Sequence, residues 1–141
     1  MKAFFDTSVL VPVFVDEHPH HTASFAAFLH AEKKHASCGA HSLAEVYSTV
    51  TRLPGKHRAS ASEGMLFLAN IAARLSFVSL NGDEYWRAIE QSAELEVVGG
   101  TIYDALLAHC ALKAKADIIY TWNLGHFRQL GPEVAKRLRI P

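Results

Sequence analysis

An α/β fold with a mainly parallel central sheet follows from three features of this 141-residue chain. Short apolar runs of the kind that form buried strands recur at 2–6, 36–40, 75–80 and 117–121, and a helical segment or two separates each from the next. The breaks between segments carry start and stop chemistry, such as Pro54-Gly55, Asn81-Gly82 and Gly99-Gly100. No internal repeat, low-complexity tract or long linker divides the chain, so one domain over residues 1–141 is expected. Strands alternating with helices imply about four to five strands with helices on both faces.

Lys2-Ala3-Phe4-Phe5 forms the first strand and ends at Asp6. Thr7 or Ser8 then caps a short helix through Val15, with Pro12 limiting its regularity. Pro19 suits the first turn of a second helix to about Lys34, whose apolar side carries Phe25, Phe28 and Leu29. Ala36 to Ala40 reads as a strand of small residues. Ser42 opens a helix to about Leu53, with Leu43, Val46, Tyr47 and Val50 at helical spacing. A fourth helix covers about Ser60 to Arg74, followed by a strand from Leu75 to Leu80. Asp83 caps the next helix, in which Trp86 and Ile89 share a face and read as core. The helix from Thr101 reaches about Ala116. Asp117 to Thr121 is a buried strand, and residues 132–138 form a last short helix. Val9, Leu10, Val11, Val13, Phe14 and Val15 make the first helix apolar nearly all round, so its spare face requires cover from the body, a second subunit or a partner segment.

Composition narrows the function. Fourteen Lys and Arg balance fourteen Asp and Glu, which excludes a strongly basic nucleic-acid binder; phosphate contact would need a local patch or a metal. Half the residues are apolar, yet no run approaches the ~20 needed to span a bilayer. The first residues run into a strand without a leader-like apolar core, so a cytoplasmic protein is expected. Cys38 and Cys110 stand among small or apolar residues without a CxxC pairing and read as buried thiols.

Three carboxylates carry the chemistry. Asp6 closes a buried strand, where a carboxylate has lost much of its water. Glu45 lies in the first turn of the Ser42 helix, and Asp104 in the first turn of the Thr101 helix. In an open parallel sheet, ligands bind outside the carboxyl ends of the strands, where the following helices begin. That edge gathers Asp6, Glu45 and Asn123, which is two residues past the last predicted strand; no strand directly precedes Asp104. Capping is the competing account of two of them, since Ser42-Leu-Ala-Glu45 matches a capping box and Thr101-Ile-Tyr-Asp104 resembles one. Taken together, oxygen ligands without matching cations suit Mg2+ or Mn2+, which can activate a water and neutralise phosphodiester charge during in-line attack. Glu45 or Asp104 would then orient or deprotonate that water.

Four segments in order resemble the successive motifs of the PIN domain: Asp6-Thr-Ser-Val-Leu-Val, Ser42-Leu-Ala-Glu45, Gly99-Gly-Thr-Ile-Tyr-Asp104-Ala-Leu and Thr121-Trp-Asn-Leu-Gly-His-Phe127. Within that family the chain is most similar to VapC-type toxins, and the likeness spans nearly its whole length. The resemblance implies a three-layer PIN-like fold and a Mg2+- or Mn2+-dependent endoribonuclease. It also implies a homodimer inhibited by a cognate VapB-like antitoxin. Carried over by position, Asp6 and Asp104 are the main metal ligands and Glu45 completes the trio; Thr7, Ser8 and Thr121 orient water or the acids. The family's fourth acidic position falls on Asn123, an amide that brings no charge, which favours a one-metal site and keeps a catalytically inactive RNA- or protein-binding module as the alternative. A phosphotransferase using Asp6 as nucleophile would carry a second aspartate where this chain has Ser8.

Other groups carry weaker signals. Arg52, Lys56, His57 and Arg58 form the densest positive stretch and can reach RNA phosphates, with Arg128 a further rim cation. His18, His20 and His21 crowd one short segment, but a zinc site wants four N or S ligands and no cysteine is near. His126 reads as an exposed loop histidine. Trp122 borders the crevice, where its ring could stack on a base.

Overall fold

The computed structural model describes residues 1–141. Five parallel strands form one sheet in the order β3-β2-β1-β4-β5: β1 Ala3–Phe5, β2 Ala36–Gly39, β3 Ser76–Val78, β4 Ile118–Tyr120 and β5 Leu138–Arg139. The helices are α1 Thr7–Val13, α2 His21–Leu29, α3 Ala40–Thr51, α4 Ala61–Arg74, α5 Gly82–Glu94, α6 Thr101–Lys113, α7 Leu124–Arg128 and α8 Pro132–Ala135, with a 3-10 turn at Gly55–His57.

Successive side chains of a strand point to opposite faces, and β1 uses both. Phe5 packs with Val9, Leu10, Val13, Phe28, Val46, Val50 and Ile71 from α1 to α4. Phe4 joins Ala105, Leu107, Ala108, Ile119, Phe127 and Val134 on the other face, under α6, α7 and α8. Two cores separated by a sheet give the three-layer α/β architecture expected from the sequence. Val9, Leu10 and Val13 are buried, while Val11 and Phe14 pack against the same core, so the body itself covers much of α1.

The strand order also locates the crevice. From β1 the chain builds outward through β2 to β3, then returns to place β4 on the other side of β1. The switch point therefore lies at the carboxyl ends of β1 and β4, where Asp6 and Thr121 follow directly.

Several local expectations are corrected. Asp6 itself caps α1, accepting from the Ser8 amide at 3.3 Å, so neither Thr7 nor Ser8 does so. Pro19 precedes α2 rather than opening it, because turns through His18 and His21 carry the chain into the helix; α2 stops at Leu29, leaving 30–35 to turn into β2. Helix α3 starts at Ala40 with Gly39 as its cap residue, so Ser42 lies inside it and the proposed capping box is absent. Gly100, not Thr101, precedes α6, again without a side-chain cap. Asn81 rather than Asp83 caps α5, in a reciprocal box with Glu84. Trp86 is 70% exposed, because the buried stripe of α5 consists of Ala88 and Ser92. Residues 124–128 are helical, and the last expected helix ends at Ala135, where the chain turns into the edge strand β5.

Candidate active site

Asp6 is 1% exposed at the end of β1. Its Oδ2 accepts from the Ser8 hydroxyl at 2.7 Å and the Thr121 hydroxyl at 2.8 Å. Burial pushes its carboxyl above the ordinary range, and these hydrogen bonds pull partly back. Ser8 and Thr121 hold each other in register: the Ser8 oxygen also accepts the Trp122 amide at 2.9 Å, and the Thr121 oxygen accepts the Asn123 amide at 3.0 Å. The predicted orienting role of both residues thus has a geometric basis, since they fix one carboxylate oxygen and the β4–α7 connection together.

A second chain of hydroxyls reaches Glu45. Thr7 has one proton, which it donates to Glu45 Oε1 at 2.9 Å; the 2.8 Å contact with Ser42 is then a donation from Ser42 to Thr7. Glu45 is half-buried and oriented by a residue adjacent to Asp6, not by its own helix terminus. Ser42, fully buried, is a member of this arrangement that capping logic misassigned. Its signal in the sequence was its place one turn before Glu45 on the same helix.

Asp104 lies in the first turn of α6, and His126 Nδ1 stands 2.9 Å from its Oδ2. Burial raises its pKa first, then the charge of Asp6; His126 opposes both, and Glu45 adds a smaller upward push. Asp104 therefore feels the charge of both Asp6 and Glu45 across the crevice. No Lys or Arg forms an ion pair with any of the three. His126 was expected as a loop histidine; it is exposed, but on α7 and bonded to Asp104. Asn123 is exposed and its side chain makes no hydrogen bond, so only its backbone ties it to the site.

Three carboxylates without a Lys or Arg partner fit the chemistry of a hard divalent cation. No group of three His, Cys, Asp or Glu side chains forms a complete ligand cluster. Mg2+ uses one or two carboxylates directly and keeps several waters, so a preassembled trio is not required.

Around the acids, Arg52 lines an open groove with His41, Glu45 and Ser48 on the exposed side of α3. Lys56 is exposed on the 3-10 turn, and Arg58 is partly committed to the Leu53 carbonyl at 2.9 Å. Trp122 is taken up by the fold: its ring stacks on His20 at 3.7 Å and its indole N–H donates to Ser24. Cys38 and Cys110 are buried free thiols, and burial pushes them up to about 12 and about 11.

A three-layer parallel fold with an acidic, cation-poor crevice at its switch point defines the class of PIN-like α/β proteins. This chain belongs to the PIN domain family, whose model matches residues 3–131, and is a VapC-type member of it. It is 39% identical over 114 residues to Ribonuclease VapC27 of Mycobacterium tuberculosis, covering 80% of this chain and 79% of that one. Ribonuclease VapC40 of the same species is 34% identical, with 81% of each chain covered. The fold is similar to that of M. tuberculosis VapC20, a Sarcin-Ricin loop cleaving toxin, with TM-score 0.70, 15% identity and 86% and 90% coverage of the two chains. It is also similar to a chain of Rickettsia felis VapBC2, solved bound to a promoter DNA fragment, with TM-score 0.69, 18% identity and 99% and 98% coverage. No helix is long and apolar enough to cross a membrane.

Proposed function

We propose that this protein is a Mg2+- or Mn2+-dependent endoribonuclease, the toxin of a type II toxin–antitoxin pair, with Asp6, Glu45 and Asp104 as its acidic site. The observation that carries this reading is the gathering of buried or half-buried carboxylates at one crevice with no Lys or Arg paired to them, Asp104 lying close enough to feel the charge of both others. The names of the VapC relatives support the substrate class. Asp6 and Asp104 hold the cation and Glu45 completes the trio. Bound there, the cation supplies Lewis acidity toward the phosphodiester and makes water a better nucleophile.

The side chains divide the remaining work. Ser8 and Thr121 both bond Oδ2 of Asp6 and so fix the carboxylate at the end of β1. His126 restrains Asp104 from the α7 side. Thr7 holds Glu45 by one oxygen, so the other is available to take a proton from the attacking water. Asn123 contributes an uncharged amide at the rim, consistent with one metal rather than two. Arg52, Lys56 and Arg58 contact RNA phosphates along α3 and its C-terminal turn. A homodimer, a VapB-like antitoxin and a cytoplasmic location complete the proposal, on the single domain 1–141.

Purified protein should cleave RNA in Mg2+ or Mn2+ and not in EDTA. Asp6→Asn and Asp104→Asn should abolish cleavage with the fold intact by circular dichroism, and Glu45→Gln should slow it by about 10²–10⁴. Full activity in both aspartate variants rejects the assignment. The second reading, a PIN-like binding module without catalysis, is favoured by Asn123 and by the lack of a preassembled ligand trio. Calorimetry with Mn2+ separates the two, since the nuclease binds the ion through Asp6 and Asp104.

A further inference from the structure

Beside the acidic crevice lies a cavity of about 220 Å³ that the catalytic reading does not use. The first residues of α3 after β2, the connection after β3, and helices α5 and α6 enclose it. It therefore opens on the same carboxyl edge of the sheet as Asp6. Leu80, Leu107 and Cys110 line its interior, and Tyr85, Tyr103 and His41 stand around it.

Its position ties it to the acids through two helices. Tyr103 immediately precedes Asp104 on α6, and His41 is one helical turn before Glu45 on α3, on the same side. His41 also lines the groove that holds Glu45 and Arg52. The apolar cavity and the groove of Glu45 and Arg52 thus meet at His41. We propose that this cavity is a nucleobase subsite, taking one base of the RNA strand next to the phosphate cut at the acidic crevice. The proposal rests on the nuclease reading of that crevice.

The chemistry fits a base better than other occupants. The Tyr103 and His41 rings are nearly parallel, 18° apart in plane, with centroids separated by 6.4 Å. Tyr103 is 56% exposed, so its ring is open to a stacking base. The volume falls below the roughly 300–1,000 Å³ of pockets for drug-sized ligands, a scale suited to a single ring system rather than a whole nucleotide. Proteins that bind single strands combine stacking aromatics with a positively charged groove, and His41 lines both this cavity and the groove that holds Arg52.

The test uses the full chain, with Tyr103→Ala, Tyr85→Ala and Tyr103→Phe, each checked by thermal melting and sedimentation. Affinity for a fluorescein-labelled random-sequence RNA pool is read by anisotropy in EDTA. Cleavage is read in Mn2+ on a cut member of the pool and on copies with one abasic position each. The alanine variants should lower affinity and raise KM about tenfold with kcat little changed, and Tyr103→Phe should restore both. One abasic position near the cut should weaken the wild type and add no further loss in Tyr103→Ala. Wild-type cleavage with unchanged KM in the alanine variants, or abasic sensitivity that persists in Tyr103→Ala, overturns the subsite and leaves the nuclease reading standing. If no RNA is cut, the nuclease reading fails; Tyr103-dependent binding of the pool would still support the base site, and Tyr103-independent binding would end it. A change of oligomeric state in the alanine variants identifies the face as a contact between copies and rejects the proposal.

Discussion

At Asp6 the largest influence on the carboxyl is burial, and at Asp104 burial is joined by the charge of Asp6. Both folded-state pKa values lie above the ordinary 3.8. The folded protein therefore binds more protons than the unfolded chain between 3.8 and those raised values, and the associated stability is lost as pH rises through them. Above those raised values the acids oppose folding unless a cation offsets them. Asp104→Asn should raise the Tm of the metal-free protein at pH 7, and the gain should shrink as pH falls toward 4; scanning calorimetry in EDTA across that range checks it. A variant melting below wild type at pH 7 would mean the His126 contact outweighs the repulsion. Residue identity made these acids visible, and the family resemblance pointed to Thr7, Ser8 and Thr121, but neither reached Ser42, which meets Thr7 across 35 positions.

Helix starts show how far local pattern carries. Ser60, where the sequence places the start of α4, forms a capping box with Glu63, since both partners lie within one turn. The same logic chose Asp83 for α5, whereas Asn81 and Glu84 form the box and Lys113 from α6 pairs with Glu84 at 2.7 Å. Asn81→Ala should cost about 1 kcal/mol in urea denaturation, while Asp83→Ala should stay within about 0.5 kcal/mol. At β2 the decisive contact is tertiary: a Cβ on Gly39 would meet Leu107 Cδ2 at 2.5 Å. Gly39→Ala should therefore destabilise by about 1–3 kcal/mol, through displacement of a buried leucine on α6. Equal stability of this variant and wild type would show that Leu107 yields freely.

For the molecule as a whole, charge balance and metal linkage set the observable behaviour. With equal numbers of acidic and basic residues, RNA affinity should depend only modestly on salt. A log–log slope near −2 is expected if Arg52, Lys56 and Arg58 supply the phosphate contacts. A much steeper slope in anisotropy titrations would reveal a larger basic surface. Mn2+ at about 100 times its Kd should stabilise the wild type by about 2.7 kcal/mol. Asp6→Asn should abolish that thermal shift. Of the large apolar residues left outside, Phe25, Leu29, Met65 and Leu66 on α2 and α4, and Trp86 and Ile89 on α5, remain available to partners. The first-helix surplus that suggested such partners is instead largely absorbed by the protein's own core.

What the residues in order determined was the alternation of strand and helix, the apolar periods and the acids at element ends, because these depend on neighbours within a turn or two. The fifth strand and α7 escaped notice because two and five residues are too few to show a period. The arrangement of the site was decided by tertiary structure alone. Thr121 reaches Asp6 across 115 positions only because β4 returns to lie beside β1, and His126 meets Asp104 only because α7 packs near α6. Strand order is a property of the assembled sheet, and no local pattern of side chains encodes it.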